Sequence, residues 1–314
     1  MGMFDFSVNA LQFKNMAEIT PSNCPTFNCA CVGGEFVYFG GIAPSKITRV
    51  GANSIETYNT PFGGSTIDAL VFLNGTLFAF IGTVGIYTSN DTGKTWALLM
   101  ATALNFVGAA TDGKSTIVAL VLGNVPSFIS TDGGATFGSS GGSNVLAGPN
   151  PAQPETFKYS TFRSLYIYAG ATGDVFTSID GIAWTFINYP SILNNAYAVE
   201  IIDTNHFLVS TTGGRLHLGT INSATVSELD SVNFPYGENT NPGVSARITS
   251  ILKTEKYIYY ASSFSNIAVS NDGGAKFYPC TTTGESNGNG HMVYNGNGVY
   301  SGTSGGKIIK TFLG

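Results

Sequence analysis

The side chains that could carry acid–base, nucleophilic or metal chemistry are few and widely spaced in this chain. Its 314 residues include three histidines, and 19 Asp and Glu stand against 14 Lys and Arg. The histidines, His206, His217 and His291, form no i,i+4 pair of the kind that binds zinc from one helix face. No G-x-S-x-G, Walker or dinucleotide motif stands beside a helical pattern. Nucleophilic catalysis and nucleotide binding therefore have no support in the sequence.

The four cysteines, Cys24, Cys29, Cys31 and Cys280, follow the spacing C-x4-C-x-C with one distant residue. Zinc sites favour C-x2-C pairs, so this spacing does not match them. We expect reduced thiols that behave as small apolar side chains, and no metal or other cofactor.

The composition narrows the classes of partner. Only 11% of residues are charged, where an ordinary soluble chain has about 25%, and the net charge is -5. Nucleic-acid affinity comes from many basic contacts to phosphates, which this chain can hardly supply. The N-terminus has no basic segment followed by an apolar run. We therefore expect no nucleic-acid partner, no secretion signal and no membrane insertion.

A short pattern, Ser-x-Asp-x-Gly-x-x-aromatic, occurs in four copies that begin at Ser89, Ser130, Ser178 and Ser270. These serines lie 41, 48 and 92 residues apart, which indicates one degenerate copy between the last two. The third copy is one residue shorter than the others. With Gly219 in place of the missing serine, and with further copies near both termini, the chain holds seven repeats of about 45 residues each.

Each repeat also carries two β-rich runs joined by a polar turn, as in STIDALVFLNGTLFAFIG. Four strands per repeat at this period predict an all-β fold, a seven-bladed β-propeller of four-stranded antiparallel blades. The seventh repeat ends after three strands, and we predict that an N-terminal strand at residues 3–11 completes the last blade. Residues 1–314 would then form a single propeller domain.

The four copies resemble the boxes of the Asp-box (BNR repeat) propeller family, which includes sialidases. The resemblance implies that each box is a structural turn between the third and fourth strands, away from the usual site. Its aspartate would accept backbone N–H groups, its glycine would adopt positive φ, and its aromatic residue would pack between sheets. The box residues are Ser89, Asp91, Gly93, Trp96, Ser130, Asp132, Gly134, Phe137, Ser178, Asp180, Trp184, Ser270, Asp272, Gly274 and Phe277.

Calcium binding is the alternative role for these boxes, because D-x-G segments can hold the ion. Calcium sites use about six to eight oxygen ligands, whereas each box offers one carboxylate. We therefore favour the structural role.

Catalysis of the kind found in that family is not expected. Sialidases bind a sugar carboxylate with three arginines, but of Arg49, Arg163, Arg215 and Arg247 only the last is predicted on a channel-lining first strand. Other glycosidases need two carboxyl groups about 5 to 9.5 Å apart. The first-strand carboxylates, Asp68 and Glu200, are predicted three blades apart across the channel.

What remains is surface for binding. The longest loops lead into first strands at residues 138–157, 233–246 and 279–290, and they are either recognition loops or simply long. The residues predicted to contact a protein partner or a glycan are Asp68, Lys158, Tyr159, Glu200, Tyr236, Arg247 and His291.

We therefore expect a non-catalytic interaction module. The chain's composition, rich in Gly, Ser, Thr and Asn, resembles that of bacteriophage structural proteins, which favours a tail- or capsid-attached virion protein assembled in the host cytoplasm. Its partners would be other virion proteins or a surface glycan. The alternatives are a glycoside hydrolase or carbohydrate-binding protein of the sialidase-like class, and a cytoplasmic assembly factor.

Overall fold

The computed structural model describes residues 16–19, 25–122, 127–140, 154–170, 174–188, 195–212, 214–221, 226–229, 247–263, 267–281, 290–303 and 305–312. Their strands form seven four-stranded antiparallel sheets. These are the blades of a seven-bladed all-β propeller, as the repeats predicted. Within the described ranges, no helix is long and apolar enough to cross a membrane.

Blades 1 to 4 each consist of four consecutive strands. Blade 1 contains β2 (Phe27–Gly33), β3 (Phe36–Gly41), β4 (Lys46–Val50) and β5 (Ile55–Asn59). Blade 2 contains β6 (Ile67–Leu73), β7 (Thr76–Ile81), β8 (Gly85–Ser89) and β9 (Ala97–Ala101). Blade 3 contains β10 (Phe106–Thr111), β11 (Ile117–Val121), β12 (Phe128–Ser130) and β13 (Gly138–Ser139). A short 3-10 turn, η1 (Pro154–Thr156), precedes blade 4, which contains β14 (Phe157–Ser160), β15 (Leu165–Ala169), β16 (Asp174–Ser178) and β17 (Thr185–Asn188).

Blades 5 to 7 follow the same plan. Blade 5 contains β18 (Ala198–Ile201), β19 (His206–Thr211), β20 (Arg215–Thr220) and β21 (Val226–Glu228). Blade 6 contains β22 (Ile248–Lys253), β23 (Ile258–Ser262), β24 (Ile267–Ser270) and β25 (Tyr278–Thr281). Blade 7 contains β26 (His291–Tyr294), β27 (Gly298–Gly302), β28 (Ile308–Phe312) and, as its outer strand, the N-terminal β1 (Met16–Glu18).

The last blade is closed by an N-terminal strand, as predicted, but from a different segment. The strand that pairs with β28 is β1, with Ala17 opposite Lys310, and the amide of Ile19 continues the pairing by donating to the carbonyl of Ile308 (2.9 Å). The predicted segment, residues 3–11, lies outside the described residues. The position assigned to it is taken by residues 16–18, so the predicted range was wrong.

Turn chemistry fixes the hairpins inside the blades. In blade 2 the pair Leu73 and Thr76 flanks a two-residue turn, Asn74 and Gly75, which have φ values of 52° and 85°. Positive φ at both central positions is the type I′ geometry that matches the twist of the flanking strands. The Asn-Gly pair therefore sets the register of the hairpin between β6 and β7.

The core is divided among the contacts between neighbouring blades. The described residues contain seven hydrophobic clusters, and each joins residues of two adjacent blades. The cluster that closes the ring combines Phe27, Val37 and Phe39 of blade 1 with Tyr300 and Ile308 of blade 7. Because each sheet can bury its apolar faces only against its neighbours, the ring needs all seven blades.

The two faces of the propeller differ in what they carry. The first strands of adjacent blades contact one another around a central channel and begin at one face, which we call the top face. The turns after the first strands and the Ser-x-Asp turns share the other, bottom face. In blade 3, for example, the amide of Gly133 donates to the carbonyl of Ser115 (2.8 Å), which joins the box to the turn between β10 and β11. The boxes therefore lie between third and fourth strands, opposite the starts of the first strands.

Candidate functional site

A buried acidic residue lies inside the channel. The turn η1 contacts the first strands β2, β10, β18 and β22, so it lies inside the ring rather than on its rim. Its central residue, Glu155, is only 6% exposed. Proline at the start of η1 suits the first position of such a turn, because its missing N–H needs no partner there.

Side chains of three blades bind the Glu155 carboxylate. Lys158 of blade 4 places its Nζ 2.5 Å from Oε2. Ser250 on β22 of blade 6 donates its hydroxyl to the same oxygen at 2.9 Å, and Nδ1 of His291, the first residue of β26 in blade 7, lies 3.2 Å from Oε1. Ser250 in turn accepts the amide of Met292 (3.2 Å). Glu155 thus ties blades 4, 6 and 7 together at the axis.

Electrostatics keep this carboxylate ionised. Burial alone would raise the pKa of Glu155, but the charge of Lys158 and the hydrogen bond from His291 outweigh it and lower the pKa to about 2. Burial also disfavours the charged form of Lys158, yet the carboxylates of Glu155 and Glu200 raise its pKa. The buried acid and lysine are therefore an ion pair.

Glu200, on β18 of blade 5, faces the same cluster, but its pKa is raised where that of Glu155 is lowered. Burial raises its pKa to about 7, which the positive charge of Lys158 opposes and the negative charge of Glu155 reinforces. Two acids on either side of one lysine thus have very different proton affinities, because Glu155 holds the direct contact with that lysine.

Asp68 lies in another part of the channel, on β6 of blade 2. It occupies a β-bulge between Ile67 and Ala69, and its Oδ2 accepts the amide of Gly82 at 2.5 Å. Burial raises the pKa of Asp68 to about 6, although the Gly82 amide works against that rise. Its carboxylate anchors the bulge to the loop between β7 and β8.

The remaining predicted contact residues lie at different depths. Tyr159 is half-buried on β14, where its ring lies 4.7 Å from that of Tyr166. Arg247 is exposed one residue before β22, at the top face, and its guanidinium stacks 4.8 Å above the ring of Tyr197. Arg247 is therefore on the rim and not on a first strand as predicted, because the strand begins at Ile248. Tyr236 lies outside the described residues.

Small side chains leave space beside Glu155 in the channel. A cavity of about 240 Å³ is lined by Cys31, Ala69 and Ala109 from blades 1 to 3, and by Lys158 and Tyr159 from blade 4. A second cavity, of about 470 Å³, opens among the first turns of blades 4 to 7 at the bottom face. It is lined by Thr161, Phe162, Ile202, Lys253, Thr254, Glu255 and Tyr294. The ion cluster of the channel thus lies on the side of blades 4 to 7, whereas blades 1 to 3 contribute small apolar side chains together with Asp68.

The Ser-x-Asp turns have the geometry of self-contained caps. In blade 3 the hydroxyl of Ser130 donates to Asp132 (2.8 Å) and accepts the amide of Gly134 (2.9 Å), and Asp132 also accepts the amide of Thr136 (2.9 Å). Hydrogen bonds from the side chain and backbone of Thr136, and from Ser130, lower the pKa of Asp132 to about 2. Equivalent serine-to-aspartate bonds occur at Ser89–Asp91 (2.8 Å), Ser178–Asp180 (3.0 Å) and Ser270–Asp272 (2.7 Å).

Glycines and aromatic residues complete these turns. Gly93, Gly134 and Gly274 have φ values of 89°, 90° and 93°, and a Cβ on Gly134 would collide with the ring of Phe78 in blade 2. The aromatic residues pack between blades in each case. Phe137 contacts Phe78 and Phe80 of the preceding blade, and Trp184 lies in the cluster of blades 3 and 4. Trp96 packs with the cluster of blades 1 and 2, and Phe277 with that of blades 5 and 6.

Neither the thiols nor the acids form a metal site in the part of the chain that the structure describes, where no group of three or more His, Cys, Asp and Glu could hold an ion. Cys29, Cys31 and Cys280 are free thiols. Burial raises the pKa of all three, that of Cys280 to about 12, which favours the protonated thiol at neutral pH. Each box carboxylate is already used by its own turn.

The arginines do not assemble into a carboxylate clamp. Arg49 on β4 bonds to Glu56 and to Thr92 of the next box, and its guanidinium stacks 4.5 Å from the ring of Phe36. Arg163 lies in the turn after β14, Arg215 begins β20, and Arg247 lies before β22. The four arginines thus belong to blades 1, 4, 5 and 6.

Two members of the channel cluster, Glu155 and Ser250, were not predicted from sequence. Glu155 was not singled out because its partners Ser250 and His291 lie 95 and 136 residues away along the chain. A signal was present, since an acid three residues before Lys158 lies near the end of the longest loop, two residues before a first strand. Ser250 gave no signal, because serine is common throughout this chain.

Comparison with known proteins supports the fold. No protein-family model matches the chain, and the search of curated proteins gives no match either. Among solved structures, YCF48 bound to D1 peptide is 13% identical and covers 97% of each chain with a TM-score of 0.75. A catalytically inactive virginiamycin B lyase from Staphylococcus aureus with quinupristin is also 13% identical, covering 95% of this chain and 99% of that chain (TM-score 0.72). The WD40 propeller domain of Doa1 is 9% identical, covering 95% and 96% (TM-score 0.69). At these identities the similarity shows the fold alone.

Proposed function

We propose that this protein is a non-catalytic interaction module whose channel contains a structural ion cluster. The observation that carries the proposal is the carboxylate of Glu155, which is bound by Lys158, Ser250 and His291 at the axis. Both oxygens of this carboxylate bind side chains of the cluster, which suits a structural role better than the activation of water. Asp68 uses one of its carboxylate oxygens, Oδ2, to accept the amide of Gly82.

Binding then falls to the rims of the propeller. At the top face Arg247 is exposed and held in place over Tyr197, and residues of this type often dominate interface energy. The first strands β14, β22 and β26, which follow the three longest loops of the sequence, also begin at this face. A protein partner suits this surface best, with a surface glycan as the other class of ligand.

The finer assignment is an Asp-box propeller of a bacteriophage virion. Support comes from the hydrogen-bonded Ser-x-Asp turns in blades 2, 3, 4 and 6, and from a composition rich in Gly and poor in charge. On this assignment the protein is assembled in the host cytoplasm and attached to the tail or capsid. The alternative is a cytoplasmic assembly factor, which would hold a client protein on one face of the propeller. Copurification with purified particles at fixed stoichiometry separates the two.

A glycoside hydrolase is the second candidate, favoured by one observation. The environments of Glu155 and Glu200 push their pKa values apart, to about 2 and about 7, as in enzymes that pair a base with an acid. In such a mechanism Glu200 would protonate the leaving oxygen.

Glu155→Gln tests the structural role of the cluster, and Glu200→Gln tests the hydrolase. Removing the charge of Glu155 leaves Lys158 without its contact partner, so the interaction module should lose about 3 to 5 kcal/mol of unfolding free energy, the range for breaking a buried ion pair. Glu255→Gln, in an exposed turn, is the matched control and should change the unfolding free energy little. Denaturant unfolding measures these changes.

The same proteins are assayed on a panel of fluorogenic glycosides at pH 5 to 8. We expect no turnover by the wild type above the level of heat-denatured protein. Turnover that is present in the wild type and lost in Glu200→Gln, while that variant remains folded, would establish the hydrolase and overturn the non-catalytic proposal.

A further inference from the structure

The outer strand of blade 2 is unusually apolar for a sheet edge. β9 has the sequence ALLMA, and Leu98 and Leu99 are 52% and 37% exposed. The strand pairs only with β8 and is the last strand of its sheet, so one row of its backbone N–H and C=O groups faces outward. Among the described residues no backbone hydrogen bond reaches that outer edge.

Five of the other six outer strands have features that protect an edge from pairing. β5, β21 and β1 carry Glu56, Glu228 and Glu18, β25 contains Pro279, and β13 is two residues long. The sixth, β17, has no charge or proline either, but it is one residue shorter than β9 and has a polar residue at each end. Charges, proline and short length are the devices by which proteins keep open edges from associating. β9 has none of these and only a bulge at Leu99, where the register with β8 shifts.

We infer that β9 is an interface at which two copies of this chain associate through antiparallel pairing of their outer strands. Such pairing would continue blade 2 of one copy into blade 2 of the other and satisfy both rows of open backbone groups. It would also cover Leu98 and Leu99 of both copies. The interface uses the outer wall of the propeller and leaves both faces free.

A second copy is the partner that the chemistry of this strand favours. Two-fold symmetry brings the same surface patch together from both sides, so the patch must complement itself. A charged strand would place like charges opposite each other, but the five residues of β9 carry no charge. Apolar side chains can pack against the same apolar side chains of a second copy. A row of open backbone groups can likewise pair with the same row of a second copy in antiparallel orientation.

The size of the interface sets the expected strength. Pairing of five residues on each side buries less than the roughly 1,200 Å² that marks the lower end of stable interfaces, which makes this a weak dimer. Dissociation should therefore be visible on dilution, and association should increase with protein concentration.

The test is sedimentation velocity over a range of concentrations with two variants and a matched control. Lysine at an edge blocks pairing, so Leu98→Lys and Leu99→Lys should each weaken self-association about tenfold or more. Ile179→Lys is the control, because Ile179 is 79% exposed but lies in the box turn of blade 4 and not on an outer strand. It should associate as the wild type does.

Hydrogen exchange of the wild-type protein gives an independent readout that needs no variant. The amides of Ala97–Ala101 should exchange more slowly at high protein concentration than at low concentration, while those of the two-residue β13 should not change. A wild type that stays monomeric throughout overturns the inference. So does self-association that both lysine variants leave intact, or exchange in β9 that is independent of concentration.

Discussion

Ser130 shows how one hydroxyl holds a box turn together. Its side chain accepts the amide of Gly134 and donates to Asp132, and the residue is 1% exposed. The hydroxyl therefore stands between a buried donor and a charged acceptor, and no water can easily replace it.

We expect Ser130→Ala to lower the unfolding free energy by about 1 to 3 kcal/mol, the cost of leaving a buried donor unsatisfied. Ser139→Ala is the matched control, because Ser139 is an exposed serine on the outer strand of the same blade. Urea unfolding measures both. Equal effects of the two substitutions would show that the box hydroxyl does not stabilise the turn.

At this scale the sequence predicts local chemistry well and long-range chemistry poorly. The box bonds span two to four residues, so the pattern around Asp132 contains all the groups that bind it. Glu155 is the opposite case, since its partners Ser250 and His291 come from other blades and become neighbours only when the ring closes. His291 was predicted as a contact residue, but the acid that it meets in the channel was not.

At the scale of elements, closure of the ring depends on a three-residue strand. β1 pairs with β28 at Met16, Ala17 and Glu18, and the amide of Ile19 adds one further bond. Without β1 the edge of β28 would be open, and the sheet would lose its outer strand. Blade 7 would then have three strands, beside a cluster that it shares with blade 1.

Deletion of residues 1–19 should therefore lower the melting temperature and promote aggregation, whereas deletion of residues 1–11 tests the segment that the sequence favoured. If residues 16–18 provide the closure, the shorter deletion should melt closer to the wild type than the longer one does. Differential scanning calorimetry and light scattering measure the two effects. If both deletions lower the melting temperature equally, removing β1 has no effect beyond the removal of residues 1–11. Closure of the ring by residues 16–18 would then be wrong.

The number of blades could be predicted from the repeats because each contains turn signals that recur at one period. The closing strand was misplaced for a physical reason: a strand of three residues is too short to show alternation, while residues 3–11 show it clearly. The edge β9 was also not singled out, since an apolar run is expected in a strand and only the fold reveals that this one is exposed.

For the whole molecule, three channel acids contribute to how stability depends on pH. Asp68 and Glu200 have raised pKa values, about 6 against 3.8 and about 7 against 4.5. The folding stability linked to each of these acids is fully present below its ordinary pKa. It is lost as the pH rises through the raised pKa of the folded protein. Glu155, with its pKa lowered from 4.5 to about 2, acts in the other direction, and its contribution is lost as the pH falls through that range. Together they place the greatest stability contributed by these acids near pH 4 to 5.

The double variant Asp68→Asn, Glu200→Gln tests this account. The wild type should lose melting temperature as the pH rises from 5 to 8, because both buried acids must ionise while burial opposes their charge. The amide side chains cannot ionise, and the carbonyl oxygen that Asp68→Asn leaves in place can still accept the Gly82 amide, so the double variant should show a flatter profile and melt higher at pH 8. Glu255→Gln, in its exposed turn, should keep the slope of the wild type. A double variant whose melting temperature still falls as steeply as that of the wild type between pH 5 and 8 would show that other groups govern the pH dependence.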